Sequence, residues 1–415
     1  MQLKFIQNSF WVLFLVLTTY GCASTARLKN SEIDNVLTVV ERQYKLMLTA
    51  STDLTQYPRT SNPDGSVKYV GIKDWTGGFW PGSMWYLYDL TKKQNWENSA
   101  VKWTESLENN QYNTEHHDIG FMMYCSYGNA IRHIKSEEYK DILIQSAKSL
   151  IKRYDPRVGS IKSWNAKKSW DGHTWHFPVI IDNMMNLELL FYASKVTGDP
   201  IYKDIAIKHA ETTLKNHFRP DYSSYHVVDY DTATGKVLAQ QTNQGFSDNS
   251  QWARGEAWAI YGFTVMYRET KEKRFLDAAQ KMADFYINHP NMPKDKIPYW
   301  DFNVDQPGYK PDWNYDKSKF SFIPRDASAA AVTASALMEM HKYVPDGKKY
   351  YDFALQSLHS LCSPEYLAKP GTNSNFILKH STGSIPHNFE VDTPLMYADY
   401  YFLEALVRYK NLVNY

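Results

Sequence analysis

The strongest constraint in this sequence is a repeated pairing of two kinds of helix. Residues 78–90, 118–131, 181–195, 252–270 and 327–341 have helical spacing, are rich in small residues, Met and aromatics, and carry few charges. A helix that is apolar nearly all round has no face for water and is therefore buried. After each comes a short polar turn and a second helix. It opens on an aromatic residue, any residue, then Asp or Asn: Trp96-Glu97-Asn98, Tyr139-Lys140-Asp141, Tyr202-Lys203-Asp204, Phe275-Leu276-Asp277 and Tyr350-Tyr351-Asp352. These second helices are amphipathic, as in Ala206, Ala210 and Leu214, and belong on the outside. Two helices lack partners. Residues 31–50 carry one apolar stripe (Ile33, Val36, Val40, Tyr44, Met47), with Ser31 and Asp34 resembling a capping box. Residues 394–409 read as an inner helix with no outer helix after it. Pairing these two closes a ring of six helical hairpins, which predicts an all-α (α/α)6 barrel over residues 31–415. Intervals of 43 to 75 residues between the second helices are too irregular for a tight solenoid. The alternative is an open helical array.

Two long connections break the helical pattern. Residues 155–177 are rich in Trp, His and Gly, and residues 219–250 read as a β-hairpin through Tyr225–Tyr230, a turn at Asp231–Gly235, and Lys236–Ala239. Long loops in a compact domain often carry function, and both are expected at one mouth of the barrel. Next to them the inner helices begin with polar clusters. Glu115-His116-His117-Asp118 opens one, and Ile180-Ile181-Asp182-Asn183 opens the next. Asp182 is the sole charge between Phe177 and Leu187. A buried carboxylate must be partnered, neutral or functional, although Asp at either position also suits an N-cap. A third cluster, Gln251-Trp252-Ala253-Arg254-Gly255-Glu256-Ala257-Trp258, sets Arg254 between two tryptophans; Arg254 either holds a carboxylate or forms a structural ion pair. Asp326, in Pro324-Arg325-Asp326-Ala327, reads most simply as an N-cap, and residues 74–82 as a turn entering a helix.

Charge narrows the function classes. Forty-six basic residues nearly cancel forty-five acidic ones, so no global field points to nucleic acid or an anionic membrane. Aromatics reach 15%, with 13 Trp and 31 Tyr, which fills cores and also suits carbohydrate clefts. The chain contains no phosphate-cradling Gly loop and no His-Glu-x-x-His helix. His116, His117, His173 and His176 read as satisfied histidines or sugar contacts rather than metal ligands, and no cofactor is expected. At the N-terminus, Lys4, an apolar run over residues 10–17 and Gly21-Cys22 read as a lipoprotein signal. Residues 1–21 are then a signal peptide, Cys22 the lipidated residue and 22–30 a short linker, with an ordinary cleaved signal near Ala23 as the alternative. An exported protein at the periplasm or cell surface is expected, anchored to a bacterial membrane through that lipid. Cys125 and Cys362 make no disulfide framework.

Six motifs taken in order resemble glycoside hydrolase family 88, the unsaturated glucuronyl hydrolases. They are Gly-Phe-Trp-Pro-Gly (78–82), His-Asp-Ile-Gly-Phe (117–121), Ile-Asp-Asn-Met-Met-Asn (181–186), Gln-Trp-Ala-Arg-Gly-Glu-Ala-Trp (251–258), Pro-Arg-Asp-Ala-Ser-Ala-Ala (324–330) and Asp-Thr-Pro-Leu-Met-Tyr-Ala-Asp-Tyr-Tyr (392–401). The resemblance implies the same (α/α)6 barrel. It also implies hydration of the C4=C5 bond in the unsaturated uronic acid that polysaccharide lyases leave at the non-reducing end, with release of the remaining sugar. By position, Asp182 matches the family's general acid/base and Asp118 the second essential aspartate. Trp80, Trp252 and Trp258 match sugar-stacking positions, and His226, Gln244 and Arg254 match polar contacts near the unsaturated ring. Ser381 and Ser384 are the candidates for contact with the uronate carboxylate. The rival readings are family 105, the unsaturated rhamnogalacturonyl hydrolases; a sugar epimerase using His117 and His226; and a non-catalytic glycan-binding lipoprotein. Unsaturated fragments of heparin, chondroitin, hyaluronan and ulvan all present the same end sugar.

Overall fold

The computed structural model describes residues 27–413. Residues 1–21 and Cys22 lie outside the described residues. Twelve α-helices follow in chain order: α1 (Asn30–Ala50), α2 (Phe79–Thr91), α3 (Gln94–Glu105), α4 (Ile119–Ala130), α5 (Glu137–Ile151), α6 (Leu187–Thr197), α7 (Ile201–Asn216), α8 (Ala253–Thr270), α9 (Lys273–Ile287), α10 (Ala327–Met340), α11 (Lys348–Leu361) and α12 (Met396–Val413). The even-numbered helices form a closed inner ring: α2 touches α4, then α6, α8, α10 and α12 follow, and α12 returns to α2. Each inner helix from α2 to α10 packs against the odd-numbered helix that follows it. Helix α1 supplies the outer partner at the seam, where Tyr44 lies 5.0 Å from Trp80 and its hydroxyl meets Met396 Sδ at 3.6 Å. This is the six-hairpin ring that the helix pattern predicts.

Burial follows the two helix types. Every residue of α10 is buried, its Ala-Ser-Ala-Ala-Ala run letting neighbours approach closely. Between α2 and α4 the approach is closer still: a Cβ on Gly78 would overlap the Met122 carbonyl. The outer helix α9 buries Phe275, Leu276, Ala279, Met282, Ala283 and Tyr286, one face at helical spacing. The two ends of the barrel differ. At one end, inner helices pass to outer helices through short turns, with Lys92, Gly198 and Lys271 in the left-handed region. A cavity of about 350 Å³ opens there beside a polar layer, in which Glu404 accepts hydrogen bonds from Tyr86, Tyr261, Ser335 and Arg408. At the other end lie all the long connections, entering the inner helices at their N-termini.

Two details depart from the expected layout. The helix expected over residues 181–195 is split into a 3-10 turn at Ile181–Asn186 and then α6. The preceding strand, Pro178–Ile180, pairs with Val227–Tyr230, and Ile181 N–H donates to His226 O, so the chain leaves a sheet rather than starting a helix there. That pairing joins the 155–177 and 219–250 segments at one mouth, as expected. The hairpin expected near 225–239 is present as Val227–Tyr230 against Val237–Gln241. A further hairpin, Tyr57–Ser61 against Val67–Val70, was not anticipated, although Asn62-Pro63-Asp64-Gly65 is a strong turn signal.

Candidate functional site

Two carboxylates stand at the N-terminal mouth. Asp118 directly precedes α4, and Asp182 lies inside the 3-10 turn that leads to α6. Neither caps a helix: Asp118 makes no cap bond, and Asn186 occupies the position before α6. Six inner-helix N-termini converge at this mouth, an arrangement that favours a negatively charged ligand.

Asp118 is held by histidines. Its Oδ1 lies 3.2 Å from His117 Nε2 and its Oδ2 lies 3.1 Å from His116 Nδ1. His117 is fully buried, and its Nδ1 lies 3.4 Å from the Asn186 amide nitrogen and 3.5 Å from Ser163 Oγ. Asn186 Nδ2 has hydrogens to donate, so His117 presents Nε2–H to Asp118. Burial alone would raise the Asp118 pKa, but His117, His116 and Arg153 outweigh it and hold the carboxyl below its ordinary range. Burial likewise works against a charge on His116, yet its bond to Asp118 raises the pKa above the usual value.

Asp182 has the opposite environment. It is 9% exposed, and its Oδ2 is buried without a hydrogen-bond partner. Burial pushes its pKa up to about 7; the Asp118 charge adds to this, while Arg254 and the Trp258 N–H act against it. Two neighbouring carboxyls whose surroundings push them apart in pKa divide naturally into a proton donor and a fixed anion. His226 Nε2 lies 3.7 Å from Asp182 Oδ2. The Asn243 and Gln244 N–H groups both donate to His226 Nδ1, at 3.2 and 3.1 Å, which leaves the proton on Nε2, facing Asp182. Burial, reinforced by Arg254 and Lys167, holds His226 neutral, with its pKa well below the usual value.

Arg254 is fixed on four sides. Its Nη1 donates to Asp326 Oδ2 at 2.7 Å and to Thr382 O at 2.5 Å, and its Nη2 to Gln244 Oε1 at 2.8 Å and Gly383 O at 2.7 Å. Asp326 also caps α10 by accepting from Ser328 N–H. Arg254 is thus a buried ion-pair partner that biases Asp182 electrostatically, and both of its terminal nitrogens are already engaged. Gln244 spends Oε1 on Arg254.

The tryptophans expected to stack on sugars do not offer free faces. Trp80 is fully buried on the outer side of α2, packed against Tyr44 and Trp103. Trp258 is fully buried against Phe121 and Tyr401, and contributes its N–H towards Asp182 rather than a ring face. Trp252 is 4% exposed, with His226 at 4.3 Å and the Arg254 guanidinium at 4.7 Å over its ring. These rings shape the site from behind. Ser381 is fully buried and its hydroxyl has no partner among the described residues. Ser384 Oγ is taken up by His387 Nδ1 at 2.7 Å.

Sequence reasoning missed three contributors. Asn183 bonds Ile161 O at 2.7 Å, and Asn186 Oδ1 accepts from Phe121 N–H at 2.7 Å. Both were visible as polar residues three apart in the apolar run 180–187. Trp164 and Trp170, from the 155–177 loop, are half-exposed. Trp164 meets His226 edge-on at 6.2 Å. The third is a clamp: Arg59, from the unanticipated hairpin, pairs with Asp74 and Glu390 and ties the 380–393 segment down over Arg254.

Comparison with known proteins bears on this arrangement. The profile of Glycosyl Hydrolase Family 88 matches residues 49–404. An unsaturated glucuronyl hydrolase of Formosa agariphila is 45% identical over 97% of both chains. The crystal structure of an unsaturated glucuronyl hydrolase specific for heparin superposes with a TM-score of 0.86 at 46% identity, covering 93% of this chain and 99% of that one. An asparagine-for-aspartate variant of the Streptococcus agalactiae unsaturated glucuronyl hydrolase, complexed with dGlcA-GalNAc6S, superposes at 0.76 with 29% identity, covering 92% of each chain.

Proposed function

The chain belongs to glycosyl hydrolase family 88, and from that premise we infer that Asp182 is the proton donor and Asp118 its fixed anionic partner. The protein is an unsaturated glucuronyl hydrolase acting on unsaturated oligosaccharides derived from glycosaminoglycans. Family membership sets aside both the family 105 reading and a glycan-binding protein without activity.

The observation that carries the assignment is the split between the two carboxyls. With a pKa of about 7, Asp182 keeps its proton on a substantial fraction of molecules at neutral pH. The C4=C5 bond of the substrate is an enol ether, so C4 is basic. Asp182 transfers its proton to C4, the C4=C5 electron pair forms the new C–H bond, and C5 becomes an oxocarbenium centre. The Asp182 carboxylate then takes a proton from water as the water oxygen bonds to C5, which restores the acid. The resulting hemiketal at C5 opens the ring and frees the leaving sugar. Asp118 stays ionised throughout and favours the positive charge that develops on the ring. The neutral His226 N–H, beside Asp182, is placed to donate to a substrate oxygen or to the attacking water.

The test is a panel of lyase-generated unsaturated disaccharides of the heparin, chondroitin and hyaluronan types, followed by ultraviolet absorbance. The expected result is loss of the conjugated double bond on at least one member, with release of the other sugar. No loss on any member ends this reading.

We further infer that residues 1–21 form an export signal and that Cys22 carries a lipid anchoring the enzyme to a bacterial membrane, at the periplasm or the cell surface. The apolar run at 10–17 ahead of Gly21-Cys22 supports this. In cells making the full chain, activity is expected in the membrane fraction, and Cys22→Ser is expected to move it to the soluble or unprocessed pool. An unchanged distribution rules out the anchor.

A further inference from the structure

Beside Asp182, the hairpin of strands Lys167–Lys168 and Thr174–Trp175 rises from the mouth. Lys167 is an exposed residue of this hairpin, but its ammonium group is engaged at the mouth. Nζ lies 5.1 Å from the centre of the Trp164 ring and donates to Asn243 Oδ1 at 2.9 Å. Asn243 in turn donates its N–H to His226 Nδ1, the histidine that faces Asp182. Three successive contacts, through Asn243 and His226, therefore link this cation to the reacting carboxyl.

Among the described residues Lys167 has no carboxylate within ion-pair distance, and its ammonium group is held by a neutral amide and an aromatic ring instead. Burial lowers its pKa, as expected for a cation held out of water without a counter-ion. Two tryptophans flank it. Trp164 and Trp170 are half-buried and present aromatic surface that Trp80, Trp252 and Trp258 cannot. Trp170 donates to Asn243 O at 3.2 Å and packs against His387 at 4.9 Å, on the side of the 380–393 segment.

We propose that Lys167, with Trp164 and Trp170, forms a subsite that reads a sulfate ester on the leaving sugar. The substrate supplies the missing counter-ion, and the ammonium exchanges its bond to Asn243 for one to sulfate. A partly desolvated cation with no counter-ion gains more from an anion than a fully solvated lysine does, because less water is displaced and the local dielectric is lower. The proposal rests on the unsaturated glucuronyl hydrolase reading and names a substituent within that substrate class.

The experiment compares two lyase-generated disaccharides that differ only in a sulfate on the leaving hexosamine, using wild type and Lys167→Met. Methionine keeps much of the apolar stem over Trp164 and removes the charge. The readout is the ratio of kcat/KM for the sulfated to the unsulfated substrate within one preparation, so any misfolded fraction cancels. Wild type is expected to favour the sulfated disaccharide, and Lys167→Met to lower that ratio by about tenfold, mainly through KM. Lys167→Arg is expected to retain much of the preference. A wild-type ratio at or below one, or an equal ratio in Lys167→Met, overturns the subsite. Inactivity of wild type on both substrates overturns the functional reading and the subsite with it.

Discussion

Asp182→Asn is expected to lower kcat on an unsaturated glucuronyl disaccharide by about a thousandfold or more, because one carboxyl delivers the proton to C4 and takes one from water. Asparagine fills the same space and can do neither. The fold should not suffer. In the wild type the Asp182 pKa is raised from 3.8 to about 7, so the folded state holds a proton that the unfolded chain gives up. Stability is therefore full below the unfolded pKa and falls as pH rises towards 7, by at most about 4 kcal/mol. Asparagine has no such loss. Thermal unfolding between pH 5 and pH 8 should show Asp182→Asn gaining on the wild type as pH rises. Near-normal turnover by a folded Asp182→Asn protein removes Asp182 from the chemistry.

The second large effect concerns Asp118. Its replacement by Asn is expected to lower kcat about a hundredfold, through loss of a fixed anion beside the developing positive charge. The pH profile carries the finer test. Wild-type kcat/KM should fall as pH rises through about 7, where free Asp182 loses its proton. Burial is the main cause of that high value, and the Asp118 charge adds to it. Removing the charge makes ionised Asp182 less unfavourable, so its pKa drops and the alkaline limb moves to lower pH. A limb that stays in place in Asp118→Asn, or moves up, shows that the two carboxyls are not coupled.

The barrel was legible because it rests on a property that sequence carries directly. Helices such as α10, apolar on every side, alternate with helices such as α9, apolar on one, and burial dictates which goes inside. Asp182 was legible for a related reason: a lone charge in an apolar run stands out. The sugar-facing surface was less so. Trp80 and Trp252 sit in motifs as prominent as any in the chain, yet one points outward to α1 and α3, and the other is covered by His226 and Arg254. Motif membership says that a ring matters; it does not say which way the ring faces. Nor does local sequence announce pairings such as Arg59 with Glu390, which join parts of the chain 331 residues apart.

The seam between α2 and α12 has a kinetic consequence. Other neighbours in the inner ring are separated in the chain by a single hairpin and its connections, and meet with modest loss of chain entropy. At the seam, Tyr86 and Tyr400 face each other across a separation of 314 residues. Closing a loop of that length carries an entropic cost of about 5 kcal/mol in the length-dependent part alone. Nothing repays it until both flanks are in place, so annealing of the seam is a late and cooperative event. Active-site assembly waits on it, because Arg254 is locked by carbonyls of the segment that leads into α12. The enzyme's competence is therefore coupled to the longest-range step in its folding.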